Sequence, residues 1–419
     1  MSTRRLRGPL TTPRRALALA LLLAAAGCQR TQPEAPRAAA AAVPAAPERT
    51  TPERTPEVRE PPRGEPHPHV QPLAVCKDGG APPLEAARAH YDAQHYAEAL
   101  SCAARAAALE PDSADAHAER GLALAALEQD AEAQLAFARA LALEPGNTNA
   151  LWGAAHLYIV QLASSREHDE LGLLYAERGL SESVKRPEQL ADFALLAAMA
   201  LNDLGRSAEA LERAALVLAR EPKDREAAYE RALALFELCR FKEAKAAFTA
   251  LLDDPERGAH AHHHLGLLLE REGKLKEAQA HLDRARALSP DEFPAPQLLG
   301  VPEFQAEVAR AVAALPADMR KDLEGIPVTA EDVPADADLL SGEPPLSPTI
   351  LGLFRGPPLD EPCDGSESPC RSVALYRKNL ARAVTSRAEL LEQIQVTLLH
   401  EVGHLRGEDD EELAARGLE

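Results

Sequence analysis

The middle of the chain is punctuated at a nearly fixed interval. Glu110-Pro111, Glu144-Pro145, Glu221-Pro222, Asp254-Pro255 and Ser289-Pro290 each close a stretch rich in alanine and leucine. Pro111 to Pro145 is 34 residues, Pro222 to Pro255 is 33 and Pro255 to Pro290 is 35. The 77 residues from Pro145 to Pro222 have room for two units and an insertion near 163–170 or 181–187. Six units follow, ending near 111, 145, 187, 222, 255 and 290. Each proline stops a helix, because it lacks an N–H and clashes with the preceding turn. Inside the units, Gly121-Leu122-Ala123-Leu124, Leu204-Gly205-Arg206-Ser207-Ala208-Glu209-Ala210 and Leu265-Gly266 put small residues where two helices approach closely. Aromatics make up only 4% of the chain, which favours helix over sheet.

A helix pair recurring at this period resembles the tetratricopeptide repeat, whose units stack into an all-α superhelix. Trp152 stands near the start of a first helix, where that repeat often carries an aromatic. The resemblance implies a concave groove that holds a protein or peptide partner, and nothing in the groove identifies the ligand. His260, His262, His263 and His264 open the last unit. The reading preferred for them is a solvated helix start with one packed histidine. A second metal site, with His260 and His264 on one helix face, is the alternative.

From about 298 the repeat gives way. Residues 304–315 have the apolar spacing of an amphipathic helix. Segments 326–331, 350–356 and 372–377 read as extended runs or strands. Ser386, with Glu389 three places on, caps a final helix over 387–405, and Gly407 ends it.

That helix carries His400-Glu401-Val402-Gly403-His404. Histidines four apart leave one helix face and can meet a single zinc ion. Glu401 sits beside the first ligand, where it can take a proton from water without binding the metal. After the turn at Gly407, Asp410 can swing in as third ligand, with Asp409 or Glu411 as alternatives in a shifted register. A fourth position stays open for water, which marks a catalytic site rather than a closed structural one. Tyr376 or Arg377 could steady an oxyanion from a neighbouring strand, or serve the core or surface instead.

These pieces together resemble the minimal zincin-like metallopeptidases of bacteria, with the motif HExxHxxGxxD. The resemblance covers about 115 residues, from Phe304 through Gly352-Leu353-Phe354-Arg355-Gly356 and Val373-Ala374-Leu375-Tyr376-Arg377 to the motif itself. It implies a small α+β domain with a short mixed sheet, metal ligands His400, His404 and Asp410, and Glu401 as catalytic base. The chain departs from the family in having Leu405 and Arg406 where another His and an aromatic are common, and in the insert around Cys363 to Cys370. It also lacks a methionine after Asp410, as a metzincin would have, and the second-helix glutamate of thermolysin-like enzymes.

The first 28 residues are not fold. A basic start at Arg4, Arg5, Arg7, Arg14 and Arg15, a short apolar run and Ala25-Ala26-Gly27-Cys28 resemble a lipoprotein signal, with Ala25 where Leu is preferred. That resemblance implies lipidation of Cys28. Gln29 implies the outer membrane of a Gram-negative bacterium, with the chain facing the periplasm. A plain signal peptide is the alternative. Residues 29–75 form a Pro-rich, disordered tether, and His67 and His69 are ordinary linker residues there. In an oxidising compartment Cys363 with Cys370 is the preferred disulfide and Cys76 with Cys102 the second candidate, leaving Cys239 as a buried thiol in a helical stretch. A formal charge of -20 argues against a nucleic-acid partner.

The expected organisation is thus a signal peptide at 1–28, a tether at 29–75, a repeat array at 76–297 and a zincin-like domain at 298–419. The expected activity is zinc-dependent peptide-bond hydrolysis by a membrane-anchored chain whose repeats position a protein. A non-catalytic envelope scaffold with a vestigial zinc domain is the rival.

Overall fold

The computed structural model describes residues 75–418, apart from 78, 185 and 364–368. The signal segment with Cys28, and His67 and His69 in the tether, lie outside the described residues. No helix among the described residues is long and apolar enough to cross a membrane.

Twelve helices form six hairpins. They pair α1 (Pro83–Asp92) with α2 (Tyr96–Leu109), α3 (Ala114–Ala126) with α4 (Asp130–Leu143), and α5 (Thr148–His156) with α6 (Arg166–Glu182). The remaining pairs are α7 (Pro187–Asp203) with α8 (Ser207–Leu218), α9 (Arg225–Glu237) with α10 (Phe241–Thr249), and α11 (Gly258–Arg271) with α12 (Leu275–Leu288). Two residues after Pro111, Pro145 and Pro222 stand Ser113, Asn147 and Asp224. Their side chains accept the N–H groups of Ala116, Ala150 and Ala227, and so start α3, α5 and α9. A proline stop and a polar cap therefore write these three boundaries.

Five hairpin turns share a left-handed residue: Gln94, Glu128, Gly205, Cys239 and Gly273, with φ between 55° and 74°. From 94 to 128, from 205 to 239 and from 239 to 273 is 34 residues each. The third hairpin differs, because α5 runs into a π turn over Leu157–Gln161 before α6. Close packing at the small positions is literal. A Cβ at Gly121 or Gly153 would come within 2.5 or 2.4 Å of the Phe137 ring, which is wedged between them. Trp152 is buried and stacks on His156.

The C-terminal part runs α13 (Val301–Ala314), α14 (Ala317–Asp322), β1 (Val328–Glu331), α15 (Asp336–Leu339), β2 (Gly352–Arg355), β3 (Ser372–Tyr376), α16 (Arg377–Arg382), α17 (Arg387–Leu405) and α18 (Asp410–Ala415). The sheet is mixed, in the order β1-β3-β2, with β1 parallel and β2 antiparallel to β3. β3 is buried along its whole length, and its alternation explains why. Val373 and Leu375 join Phe304, Val308, Leu390, Ile394, Leu398 and Val402 in a core under α13 and α17. Ala374 and Tyr376 point the other way, into a cluster of Leu339, Leu346 and Ile350 that packs against Cys239 and Phe241 of the fifth hairpin. Both faces of this small sheet are therefore covered, one by its own helices and one by the array.

Two sequence expectations need correction here. Cys239 is not within a helix: it is the half-buried left-handed residue of the α9–α10 turn, 3.6 Å from the Leu346 carbonyl. Of the α11 histidines, His264 is the one packed residue expected, and the others are half-buried rather than solvated. His264 is buried and stacks on Phe248, His263 stacks on Phe293, and His260 meets Glu292 at 2.8 Å. The docked C-terminal part and the linker from α12 shelter them. Polar contacts complete the docking: Glu270 takes Lys378 at 3.1 Å and Arg382 at 2.8 Å, and Arg271 pairs with Asp336.

Glu237, at the end of α9, is part of this junction. Burial pushes its carboxyl from an ordinary 4.5 up to about 7, against a hydrogen bond from Ser347 that works to lower it. A raised folded-state pKa means the stabilising form is the protonated one. Its contribution is full below 4.5 and is lost as pH rises to about 7, a difference of about 3 kcal/mol by linkage. Denaturant unfolding at pH 4.5, 6 and 7.5 should show that Glu237→Gln removes a decline of this size from the wild-type profile. Equal slopes for the two proteins would contradict the assignment.

Candidate metal centre

The motif helix α17 starts where Ser386 Oγ accepts the Glu389 N–H, while the Glu389 carboxylate takes the N–H of Thr385. Leu390, Ile394, Leu398, Val402 and Leu405 form its buried stripe. This leaves His400, Glu401 and His404 on the flank toward β2 and α18. Gly407, at φ 90°, reverses the chain. α18 then begins under a reciprocal cap: Asp409 accepts the Glu412 N–H and Glu412 accepts that of Asp409. What seats α18 is an apolar contact. Leu413, fully buried, fills the space left by the missing side chain of Gly403, where a Cβ would lie 2.3 Å from Leu413 Cδ2.

This seating brings three donor atoms together. His400 Nε2 and His404 Nε2 are 2.9 Å apart, and Asp410 Oδ1 lies 3.6 and 3.2 Å from them. All the candidate ligand atoms of this trio lie within 4.8 Å of one another. Asp409 is spent on its cap and Glu411 is exposed, so the structure brings Asp410 to the histidines and neither alternative.

The outer ring nitrogens decide the tautomers. His400 Nδ1 is 2.6 Å from the Leu418 carbonyl, and His404 Nδ1 is 3.0 Å from that of Glu408. A carbonyl can only accept, so each Nδ1 carries the hydrogen and each Nε2 presents a lone pair inward. Two lone pairs and a carboxylate oxygen facing one another are a donor set that could hold a cation. Burial resists protonation of His400 and His404, but Asp410 and Glu401 outweigh it, and both imidazoles are held above their ordinary value. Burial would raise Asp410, yet the two histidines hold it well below the usual carboxylate range. The trio also fits zinc by size, since two tetrahedral ligands at about 2 Å stand about 3.3 Å apart.

Glu401 is buried beneath the sheet edge. Its Oε2 accepts the Phe354 N–H at 2.6 Å, and only a glycine at 352 leaves room, because a Cβ there would sit 2.7 Å from Oε1. Burial holds its carboxyl above the ordinary value, against the opposing pull of the two imidazoles and the Phe354 N–H. The pocket at these residues is about 40 Å³, with Leu346, Leu353, Val396 and Leu418 among its walls.

The other expected residues are placed as follows. Tyr376 is fully buried, its Oη has no hydrogen-bond partner, and it does not line this pocket. Arg377 is tied to Asp332 and to the Leu299 carbonyl. Neither reaches the centre. Cys363 pairs with Cys370, and Cys76 with Cys102. Leu413 and Leu418 also build the site without any signal read for them in the sequence, and Gly352 and Phe354 enter there only as part of the 352–356 segment, with no site role. Gly403, inside the motif, was their one local sign: a glycine in mid-helix marks something packed closely against it.

A zincin-like metallopeptidase model matches residues 323–418, and a tetratricopeptide-repeat model matches 84–158 and 238–293. Similar solved structures include pilF of Pseudomonas aeruginosa, at 18% identity over 54% of this chain and 96% of that one, with a TM-score of 0.42. PilW, a widely conserved type IV pilus biogenesis factor, has 18% identity over 50% of this chain and 94% of its own, with a TM-score of 0.42. YrrB, a repeat protein with an unusual peptide-binding site, has 19% identity over 46% and 94%, with a TM-score of 0.38. At these TM-scores the likenesses carry no functional weight. No curated protein matches the chain.

Proposed function

From a chain that joins tetratricopeptide repeats to a zincin-like metallopeptidase domain, we propose a zinc-dependent endopeptidase whose repeats hold or position the protein it acts on. The observation that carries this reading is the convergence of His400 Nε2, His404 Nε2 and Asp410 Oδ1 beside the buried carboxylate of Glu401. Zinc bound there would polarise a carbonyl and acidify water. Glu401 would take the proton at one carboxylate oxygen and return it to the leaving amine. The Leu418 and Glu408 carbonyls hold the two imidazoles in the tautomer that presents Nε2. β2 is an edge strand beside α17, so an extended peptide added along its open side would lie across the centre. In this reading the signal segment anchors the chain, through Cys28, to the outer membrane facing the periplasm, where a tether raises the local concentration of partner and site.

The test is to load the purified chain with zinc and incubate it with unfolded proteins and peptide libraries. Cleavage that stops with a chelator and returns with zinc supports the reading. One equivalent of zinc held tightly, with no cleavage across broad substrates, transfers the weight to a non-catalytic scaffold.

A further inference from the structure

The connection from β2 to β3 holds the insert by which this chain departs from the minimal zincin-like pattern, and nothing so far gives it a task. Leaving β2, the chain turns at Gly356, with φ 102°, where any Cβ would collide with the Cys370 carbonyl. Cys370 is in turn bonded to Cys363. Between Gly356 and Cys363 lies a tight turn, closed by the Glu361 N–H on the Pro358 carbonyl at 3.1 Å. Arg371, half-buried at the foot of β3, organises it. Its Nε donates to the Pro357 carbonyl at 2.7 Å, and its Nη2 to those of Pro358 and Glu361 at 2.8 and 2.5 Å. A planar guanidinium thus fixes three carbonyls in one geometry, which the compact ammonium of a lysine cannot reproduce.

This turn is seated on the end of the motif helix. The last carbonyls of a helix find no donor within it, and that of Leu405 accepts the Leu359 N–H at 2.8 Å. Pro358 and Asp360 lie beside Gly407, where a Cβ would stand 3.7 Å from Pro358 Cβ and 3.9 Å from Asp360 Oδ1. Arg406, between Leu405 and Gly407, is held by Asp318 and Asp322 of α14 at 2.7 and 2.6 Å. Two parts of the metal centre leave the chain just past this joint. They are the Glu408 carbonyl on His404 Nδ1 and the Asp410 carboxylate near both Nε2 atoms. The direction taken at Gly407 therefore decides whether they arrive.

We infer that Arg371 is a positioning residue for the metal centre. By holding the 357–361 turn against Leu405 and Gly407, it sets the path of the chain out of the motif helix and so the place of Asp410. The inference rests on the metal site of the proposed function, but not on cleavage.

The experiment measures zinc affinity of the full-length chain by competition with a chromogenic chelator. It also records the visible absorption of bound cobalt(II), which reports the number and geometry of the ligands. Arg371→Ala should weaken zinc by about 10–100-fold, the range for groups that orient a metal's ligands, and shift the cobalt band toward that of Asp410→Asn. Arg371→Lys should recover part of the loss. Leu359→Pro isolates the link to the helix. Residue 359 is the second of its turn, where proline is favoured, so the turn persists while the N–H on Leu405 is removed. Zinc should then weaken about threefold to tenfold, the worth of one hydrogen bond. Arg387→Ala breaks the ion pairs with Glu303 and Glu307 at the opposite end of the same helix, and should change neither affinity nor band. If Arg371→Ala does not fold, Leu359→Pro decides alone. Wild-type affinity and band in the folded variants of this turn overturn the inference. So does an equal loss in Arg387→Ala, which would mean a general loosening of the helix. A wild-type chain that takes up neither ion removes the metal centre and this inference together. Tight binding that depends on Arg371, with no cleavage of any substrate, removes the peptidase and keeps the inference.

Discussion

Replacing Glu401 by glutamine is expected to lower cleavage by about 10³-fold while zinc stays bound, since general acid–base catalysis typically contributes 10²–10⁴-fold. The substitution is nearly isosteric. The glutamine carbonyl can still accept the Phe354 N–H that now holds Oε2, so the side chain should keep its place under β2. The ability to take and return a proton is lost. None of the three converging donor atoms belongs to residue 401, so the metal stoichiometry should not change. The check pairs metal analysis with single-turnover cleavage of an unfolded substrate. A glutamine variant that cleaves within tenfold of wild type would remove Glu401 from the role of base.

Gly403→Val should abolish tight zinc binding although it touches no ligand. The new side chain claims the space that Leu413 occupies, which a Cβ alone would enter to 2.3 Å. α17 is a long buried helix and α18 has six residues, so α18 is the element that yields. Two contributions then leave together: the Asp410 carboxylate and the Leu418 carbonyl on His400 Nδ1. Loss of an outer-shell partner alone costs about 10–100-fold in affinity, so losing a ligand as well should exceed about 100-fold. Competition against a chromogenic chelator measures this, with circular dichroism to show that the helical array persists. Because Gly403→Val and Asp410→Asn would act through one event, combining them should add little to either alone. Unchanged affinity in Gly403→Val would show that α18 is not held by Leu413.

The contrast between these two residues shows what the sequence could and could not disclose. The motif helix was legible to the residue, from Ser386 to Leu405, because caps and apolar stripes are local signals. The strands at 328–331, 352–355 and 372–376 lie inside the slightly longer extended runs expected at 326–331, 350–356 and 372–377, and the prolines mark the repeat boundaries. The approach of α18 was not legible, because it depends on an apolar side chain meeting a gap ten residues earlier. Cys239 was misplaced because the left-handed turn it occupies is marked by glycine in only two of five hairpins. The α11 histidines look solvated in a repeat considered alone. His264 packs within the array, on Phe248, but the ring that covers His263 is Phe293, beyond the last hairpin, which periodicity within the array cannot reveal.

The sheet face that carries Ala374 and Tyr376 rests on Cys239 and Phe241 of the fifth hairpin. A stack of repeats ordinarily needs a terminal unit with a polar outer side to stay soluble. Here the C-terminal part lies against the array's last hairpins and does that work. A proteolytic cut in the linker that separated the two would bare sticky surface on each fragment. The C-terminal part and the array are therefore expected to fold and to be degraded as one unit.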